Sequence, residues 1–230
     1  MRFLAGAGLI ALFALGLPVG PASAVTVPFT EGFTTGDSGW RGNTNSVGTL
    51  DWSSDGYVTE VFNFQSLTPT SQGPVLFRAN ASAGASGGAF AGDYILNGAS
   101  EIRALVRHNA PTDVVFFARF AASPFGFPGG IISQTAGISA GSSFTELVFD
   151  LSPGNPNLVL EDPLQGYSAV FGFVGNVQFG VAVPASLAGV NANYSFDITS
   201  VEIVPEAGGL GALALAACAA FVALRARQEA

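Results

Sequence analysis

The sequence predicts an all-β fold, a two-sheet antiparallel β-sandwich, set between two apolar terminal segments. Three observations carry that prediction. Gly, Ser, Thr and Asn punctuate the chain every few residues. The apolar runs between them are short and rich in Val, Ile and Phe, which suits strands bounded by turns. No run of helical period stands out between the terminal segments, and no internal repeat of fixed period is visible. Nine runs read as strands: 25–33, 56–64, 74–79, 101–107, 114–120, 144–151, 169–173, 177–183 and 194–204.

The chain opens with Arg2, an apolar run over 3–17, a break at Pro18 and Gly20, and the small residues Ala22 and Ala24. This is the layout of a signal peptide over 1–24, a helical leader cut by signal peptidase after Ala24. The strand at 101–107 alternates: Ile102, Ala104 and Val106 share one face and Arg103 and Arg107 the other, so one face is wet. The run Val114-Val115-Phe116-Phe117-Ala118 is apolar on both faces, and its outer side needs a cover. In 194–204, Phe196 and Ile198 are out of phase with Val201 and Ile203, and a bulge near Thr199-Ser200 would restore the register. The small-residue stretches 80–88 and 137–143 read as exposed loops, and 123–130 as an irregular turn. Glu161-Asp162 before Pro163 reads as a solvated pair.

The stretch 208–224 has no charge and is rich in Ala and Leu, with Arg225 and Arg227 behind it. At ~1.5 Å per residue it would reach about 26 Å, near the lower limit for a transmembrane helix. The two arginines would stay on the cytoplasmic side. The tail Val204-Pro205-Glu206-Ala207, an apolar span and a terminal Arg cluster resembles the PEP-CTERM sorting signal. That resemblance implies an exosortase-type transpeptidase as partner, which removes the span and passes the protein to the cell surface or extracellular matrix. Pro205, Glu206, Arg225 and Arg227 would then be the sorting residues. The tail departs from the commonest pattern in having Ala207 where a second proline is usual, and in continuing as Gln228-Glu229-Ala230. The domain map is therefore 1–24, 25–204 and 205–230, describing an exported precursor anchored in the inner membrane until its tail is cut.

Over 25–206 fifteen acids face five arginines, a formal charge of −10, and the whole chain has no lysine. With no basic cluster to release phosphate counterions, nucleic-acid binding is excluded as the reading. The one cysteine, Cys218, falls in the apolar tail, so the exported domain must stand without disulfides or a thiolate metal site.

Little in the chain points to catalysis, and the domain is read as a non-enzyme. The single histidine, His108, precedes Asn109-Ala110-Pro111 and reads as an exposed turn residue. A glycoside hydrolase would need two carboxylates about 5 to 9.5 Å apart. Asp51, Asp55, Glu60, Asp93, Glu101, Glu146 and Asp150 are the candidates, but spacing places no two of them across a cleft. Trp40, Trp52 and Tyr57 lie in a polar, Gly-rich region, where exposed rings would stack on sugar C–H faces. The competing reading is core packing, because tryptophan buries most of its surface.

The opening Phe29-Thr30-Glu31-Gly32-Phe33 with Gly39-Trp40, and the closing Tyr194-Ser195-Phe196-Asp197-Ile198-Thr199-Ser200-Val201-Glu202-Ile203, resemble the jelly-roll domains of carbohydrate-binding modules and surface proteins. The resemblance implies a sandwich of jelly-roll type and a structural calcium held by Glu31 and Asp197 where first and last strands meet. No other cofactor is expected. The function expected is structural or adhesive, at the cell surface or in the matrix. A carbohydrate-binding module for exopolysaccharide and a secreted glycan hydrolase are the alternatives.

Overall fold

The computed structural model describes residues 25–46, 48–122 and 128–206. The elements in order are β1 (Phe29–Glu31), β2 (Asp51–Ser53), β3 (Tyr57–Asn63), β4 (Val75–Asn80), β5 (Ala99–His108), β6 (Phe116–Ala122), β7 (Gly129–Ser133), β8 (Thr145–Asp150), β9 (Leu158–Leu160), α1 (Gly166–Phe171), β10 (Val174–Val181) and β11 (Asn193–Pro205). They form two antiparallel sheets. The six-stranded sheet runs β2-β3-β11-β5-β8, with β1 also on β11, and the five-stranded sheet runs β4-β10-β6-β7-β9. The two pack as a β-sandwich around one core.

The long strand β11 organises the larger sheet. One of its edges takes β3 along 193–198 and then β1 along 201–203, while β5 takes the other edge. The expected bulge is present: the β11–β5 register shifts between Ile198 and Ser200. The extra residue puts Phe196, Ile198, Val201 and Ile203 on the buried side together. Ile102, Ala104 and Val106 face inward on β5, as the alternation predicts.

The smaller sheet departs further from expectation. Its strands β7 and β9, like the edge strand β2 of the larger sheet, have no counterpart among the nine runs; each is short, and β7 opens on Gly129-Gly130 inside the expected irregular turn, whose residues 123–127 lie outside the described ones. The run 169–173 is no strand. It lies largely in the short helix α1, which buries Val170 and Phe171 and ends at Gly172, whose N–H reaches Ser168 O and Val170 O. A two-residue apolar pair satisfies helix and strand alike, and here packing against β6 and β7 decided it. The loop 80–88 is two 3₁₀ turns, the first capped by Asn80 Oδ1 on Ser82 N, and Ala85 within it is buried rather than exposed.

The two-sided apolar character of β6 has a local cause. Inward, Phe116, Ala118 and Phe120 join the core. Outward, the Phe117 ring lies against Gly180 on β10, where a Cβ would stand 2.5 Å from the Pro74 carbonyl O and would run into the ring itself. The glycine makes room for the aromatic cover that the sequence pattern requires.

The predicted leader and span, with Ala22, Ala24, Arg225 and Arg227, lie outside the described residues. Among the described residues no helix is long and apolar enough to cross a membrane. Pro205 closes β11 opposite Ala99, and the Glu206 N–H donates to Gly98 O at 2.7 Å.

Candidate functional site

Trp40, Trp52 and Tyr57 do not form a sugar platform. Trp40 is 1% exposed and sits between the sheets, edge-on to Phe33 and Phe90 and stacked on Phe179 at 6.2 Å. Its indole N–H donates to Ser86 Oγ at 2.8 Å, and that hydroxyl donates to Glu31 Oε2 at 2.7 Å. The relay satisfies the one polar atom of a core tryptophan. Trp52 is 42% exposed and donates to Phe33 O at 2.6 Å, on the same face as its partner Val58. Tyr57 pairs with Ser53 instead, so it points to the opposite face, where it covers the Arg107 guanidinium at 4.7 Å.

Glu31 and Asp197 do not come together either. Glu31 lies opposite the buried Val201, whereas Asp197 lies opposite Thr59 and Arg107, about 13 Å along β11 and on the outer face. Asp197, 8% exposed, accepts from Thr59 Oγ1 and from Arg107 Nε, both at 2.6 Å. Glu31 accepts from Phe33 N and Ser86 Oγ. Both carboxylates are thus engaged by protein donors. Among the described residues no group of three or more His, Cys, Asp or Glu is arranged to hold a metal.

His108 is buried rather than exposed, at 2%. It continues the inward phase of β5 and packs against Phe116 and Phe196. Its Nε2 lies 2.9 Å from Ile138 O, which can only accept, so this nitrogen carries the proton. Nδ1 has no partner.

Of the acids, Glu101 and Asp150 are direct cross-strand neighbours on the outer face of the larger sheet. Glu101 binds Arg103 on its own strand at 2.7 Å, and Asp150 accepts from Ser152 N and Oγ. Glu161 is not a free solvated residue: it grips Arg119 through Nε and Nη2 at 2.6 and 2.7 Å. Glu60 faces inward beside Gly42, where a Cβ would stand 2.9 Å from both its Cδ and Thr49 Oγ1. Burial raises its carboxyl above the ordinary value, with Asp51 adding to that and the Asn43 backbone N–H and Arg78 opposing it.

A groove of about 660 Å³ opens where the end of β3 meets the start of β4. The amides of Asn43, Asn63 and Gln72 and the hydroxyls of Ser66, Thr68 and Thr70 line it, with the Phe62 ring among them. No titratable side chain is among its described lining. Its chemistry is hydrogen bonding beside an apolar ring, which suits a neutral, hydroxyl-bearing ligand.

No family model matches the chain, and no curated protein matches it. Solved structures do. The L4b domain of human laminin alpha-2 is similar at 9% identity and TM-score 0.41, over 70% of this chain and 86% of that one. The cryo-EM structure of rhinovirus-B5 is similar at 12% identity and TM-score 0.29, over 90% and 87%. That of Mud Crab Dicistrovirus is similar at 14% identity and TM-score 0.24, over 90% and 93%.

Sequence reasoning missed the groove, because its lining comes from turn residues that look like ordinary loop composition. It also passed over Arg41 and Arg78. The signal for these was present: Arg78 interrupts the apolar run 74–79, and arginine is scarce in this lysine-free domain.

Proposed function

We propose that the chain is an exported cell-surface or extracellular-matrix protein whose sandwich, of jelly-roll type, makes structural or adhesive contacts, with the groove at Asn43 to Gln72 contacting exopolysaccharide. The observation that carries this reading is the groove itself: amides and hydroxyls converge beside an aromatic ring with no acid or base among the described lining. Hydroxyl-rich chains are recognised by such surfaces through many weak directional bonds rather than one strong one. The pairing of the first strand β1 beside the last, β11, supports the jelly-roll reading.

Export and sorting rest on the leader, the uncharged span and the Arg225 and Arg227 cluster. The position of Pro205 at the end of β11 is consistent with a processing signal placed where the sandwich stops.

Cell fractionation of a chain lacking 208–230 tests the reading. The truncated chain is expected in periplasm or medium while the full chain reaches the surface; a truncated chain that stays membrane-bound refutes the sorting role. For the groove, Phe62→Ala together with Gln72→Ala should weaken retention on the purified exopolysaccharide. Unchanged retention refutes the groove as the contact surface.

A further inference from the structure

The outer face of the five-stranded sheet carries a lane of like charge. Arg41 and Arg78 are mutual backbone partners, Arg41 N to Arg78 O at 3.1 Å and Arg78 N to Arg41 O at 2.8 Å, so their side chains leave the same face. Across β4, Arg78 lies opposite Gln178, and Gln178 lies opposite Arg119 on β6. Three of the five described arginines therefore share one row. Arg119 is neutralised by Glu161, and Arg103 and Arg107 on the other sheet are neutralised by Glu101 and Asp197. Arg41 and Arg78 form no ion pair among the described residues, in a domain where acids outnumber arginines threefold.

Their remaining bonds are few. Arg41 Nη1 donates to Asn45 O at 3.1 Å, and Arg78 Nη2 reaches Asn43 O only at 3.5 Å. The Nε of each is sheltered from water and has no acceptor. Two residues along β10 from Gln178, on the same face, Asn176 Oδ1 is sheltered too and has no donor. Glu60, the acid that attracts Arg78, belongs to the inner side, and its attraction is outweighed by burial and by the like charge of Arg119, which together hold the Arg78 guanidinium below its ordinary value. Fixed positive charge with unmet donors beside an unmet acceptor calls for a ligand that brings both an oxyanion and hydroxyl groups. Asn43 also lines the neutral groove, so the row of arginines and the groove meet at one residue.

We propose that Arg41 and Arg78, with Gln178 and Asn176 beside them, form a recognition site for the oxyanion of an acidic saccharide chain, a carboxylate or a sulfate, whose neutral sugars run into the groove through Asn43. The inference deepens the adhesive reading and rests on it for the source of the ligand, but its chemistry is testable without any export or sorting step. A guanidinium fork meets an oxyanion with two parallel bonds, and a ligand lying across Arg41 and Arg78 would offset the repulsion along the row.

The test is calorimetric titration of the purified full chain with three probes: oligogalacturonate, the same oligomer fully methyl-esterified, and a sulfated oligosaccharide of similar length. Oligogalacturonate or the sulfated oligomer should bind with an affinity that falls as salt rises, and the ester at least about tenfold more weakly. The ratio of the two acidic probes names the oxyanion. Arg41→Gln and Arg78→Gln should each weaken the acidic probe at least about tenfold, whereas Arg103→Gln on the opposite sheet should leave it unchanged. Because Arg78 is half-buried, Arg78→Lys supplies a second variant that keeps the charge, and circular dichroism checks that each variant folds. Equal binding of acid and ester, no binding of either acidic probe, or acidic binding that survives Arg41→Gln in a folded chain would overturn the proposal. So would tighter binding of poly-glutamate than of either acidic saccharide, since that would point to a protein partner.

Discussion

The two outer faces of the sandwich are built on opposite rules. On the six-stranded sheet the strands alternate cleanly, and the wet face carries Asp51, Asp197, Glu101, Glu146, Asp150 and Glu202 against Arg103 and Arg107. Its cations are paired with acids on the same strand or the next. The five-stranded sheet has Arg41, Arg78 and Arg119 in one outer row, of which, among the described residues, Arg119 alone is ion-paired, to Glu161, and its other outward positions include Phe117 and Ile131. The first face spends its charge on neighbours and water. The second shelters charge among apolar groups, and that is where unmet polar atoms collect.

If the second face is packed as tightly as it looks, the largest effect comes from filling Gly180. Gly180→Ala should cost about 3 kcal/mol, since the new methyl meets a backbone carbonyl and the Phe117 ring. Gly154→Ala, with nothing within 4 Å, should be neutral. Urea unfolding of both variants reads the contrast, and a Gly180→Ala midpoint equal to the parent's would dissolve it.

Charge removal gives the next contrast. Glu161→Ala strips a two-bond grip from the half-sheltered Arg119 and should cost about 2 kcal/mol, less than a fully buried pair would. Glu101→Ala breaks the exposed pair with Arg103, which solvent screens, and should lower stability far less than Glu161→Ala does. Similar losses for the two in thermal melts would mean that the faces do not differ in dielectric.

Asp197→Ala lies between these, at about 1 to 2 kcal/mol, because it leaves Thr59 and Arg107 without their shared acceptor. The melting temperature of the unmodified chain should be the same in calcium and in chelator. A calcium-dependent rise that vanished in Asp197→Ala would reinstate the metal site expected from the jelly-roll resemblance.

The smallest effect concerns Glu60. Its folded-state carboxyl is raised above 4.5 by burial, so the native chain binds a proton more tightly than the unfolded chain does. Stability should therefore fall as pH climbs from about 4.5 through the folded-state value, then level off. Glu60→Gln should remove that slope and shift neutral-pH stability by no more than about 1 kcal/mol. A parent chain whose stability rose through the same window more steeply than the variant's would reverse the sign and place Glu60 in a net favourable charge environment.

The legibility of the sequence follows the same division. Apart from the three-residue edge strand β2, the larger sheet is readable because one-sided burial leaves an alternation: Ile102, Ala104 and Val106 against Arg103 and Arg107, and the phase break in β11 that announces its bulge. In the smaller sheet both sides of β6 are covered, the alternation is lost, and glycine-led β7 looks like a turn. Ala169-Val170-Phe171 carried no period long enough to separate helix from strand.

What the sequence determined by itself was the class of the fold, the strands with a single buried face and the absence of a disulfide from 25–206, because these depend on local period and on composition. Which aromatic is core and which is surface was decided only by tertiary structure. Trp40 and Trp52 stand in equally polar surroundings in sequence, yet one fills the space between the sheets while the other caps an edge. The same holds for the arginines. Arg41 and Arg78 are 37 positions apart in the chain, and only the pairing of that edge with β4 sets their charges side by side. Strand pairing is non-local, so the chemistry it assembles is written in the register and not in any one segment.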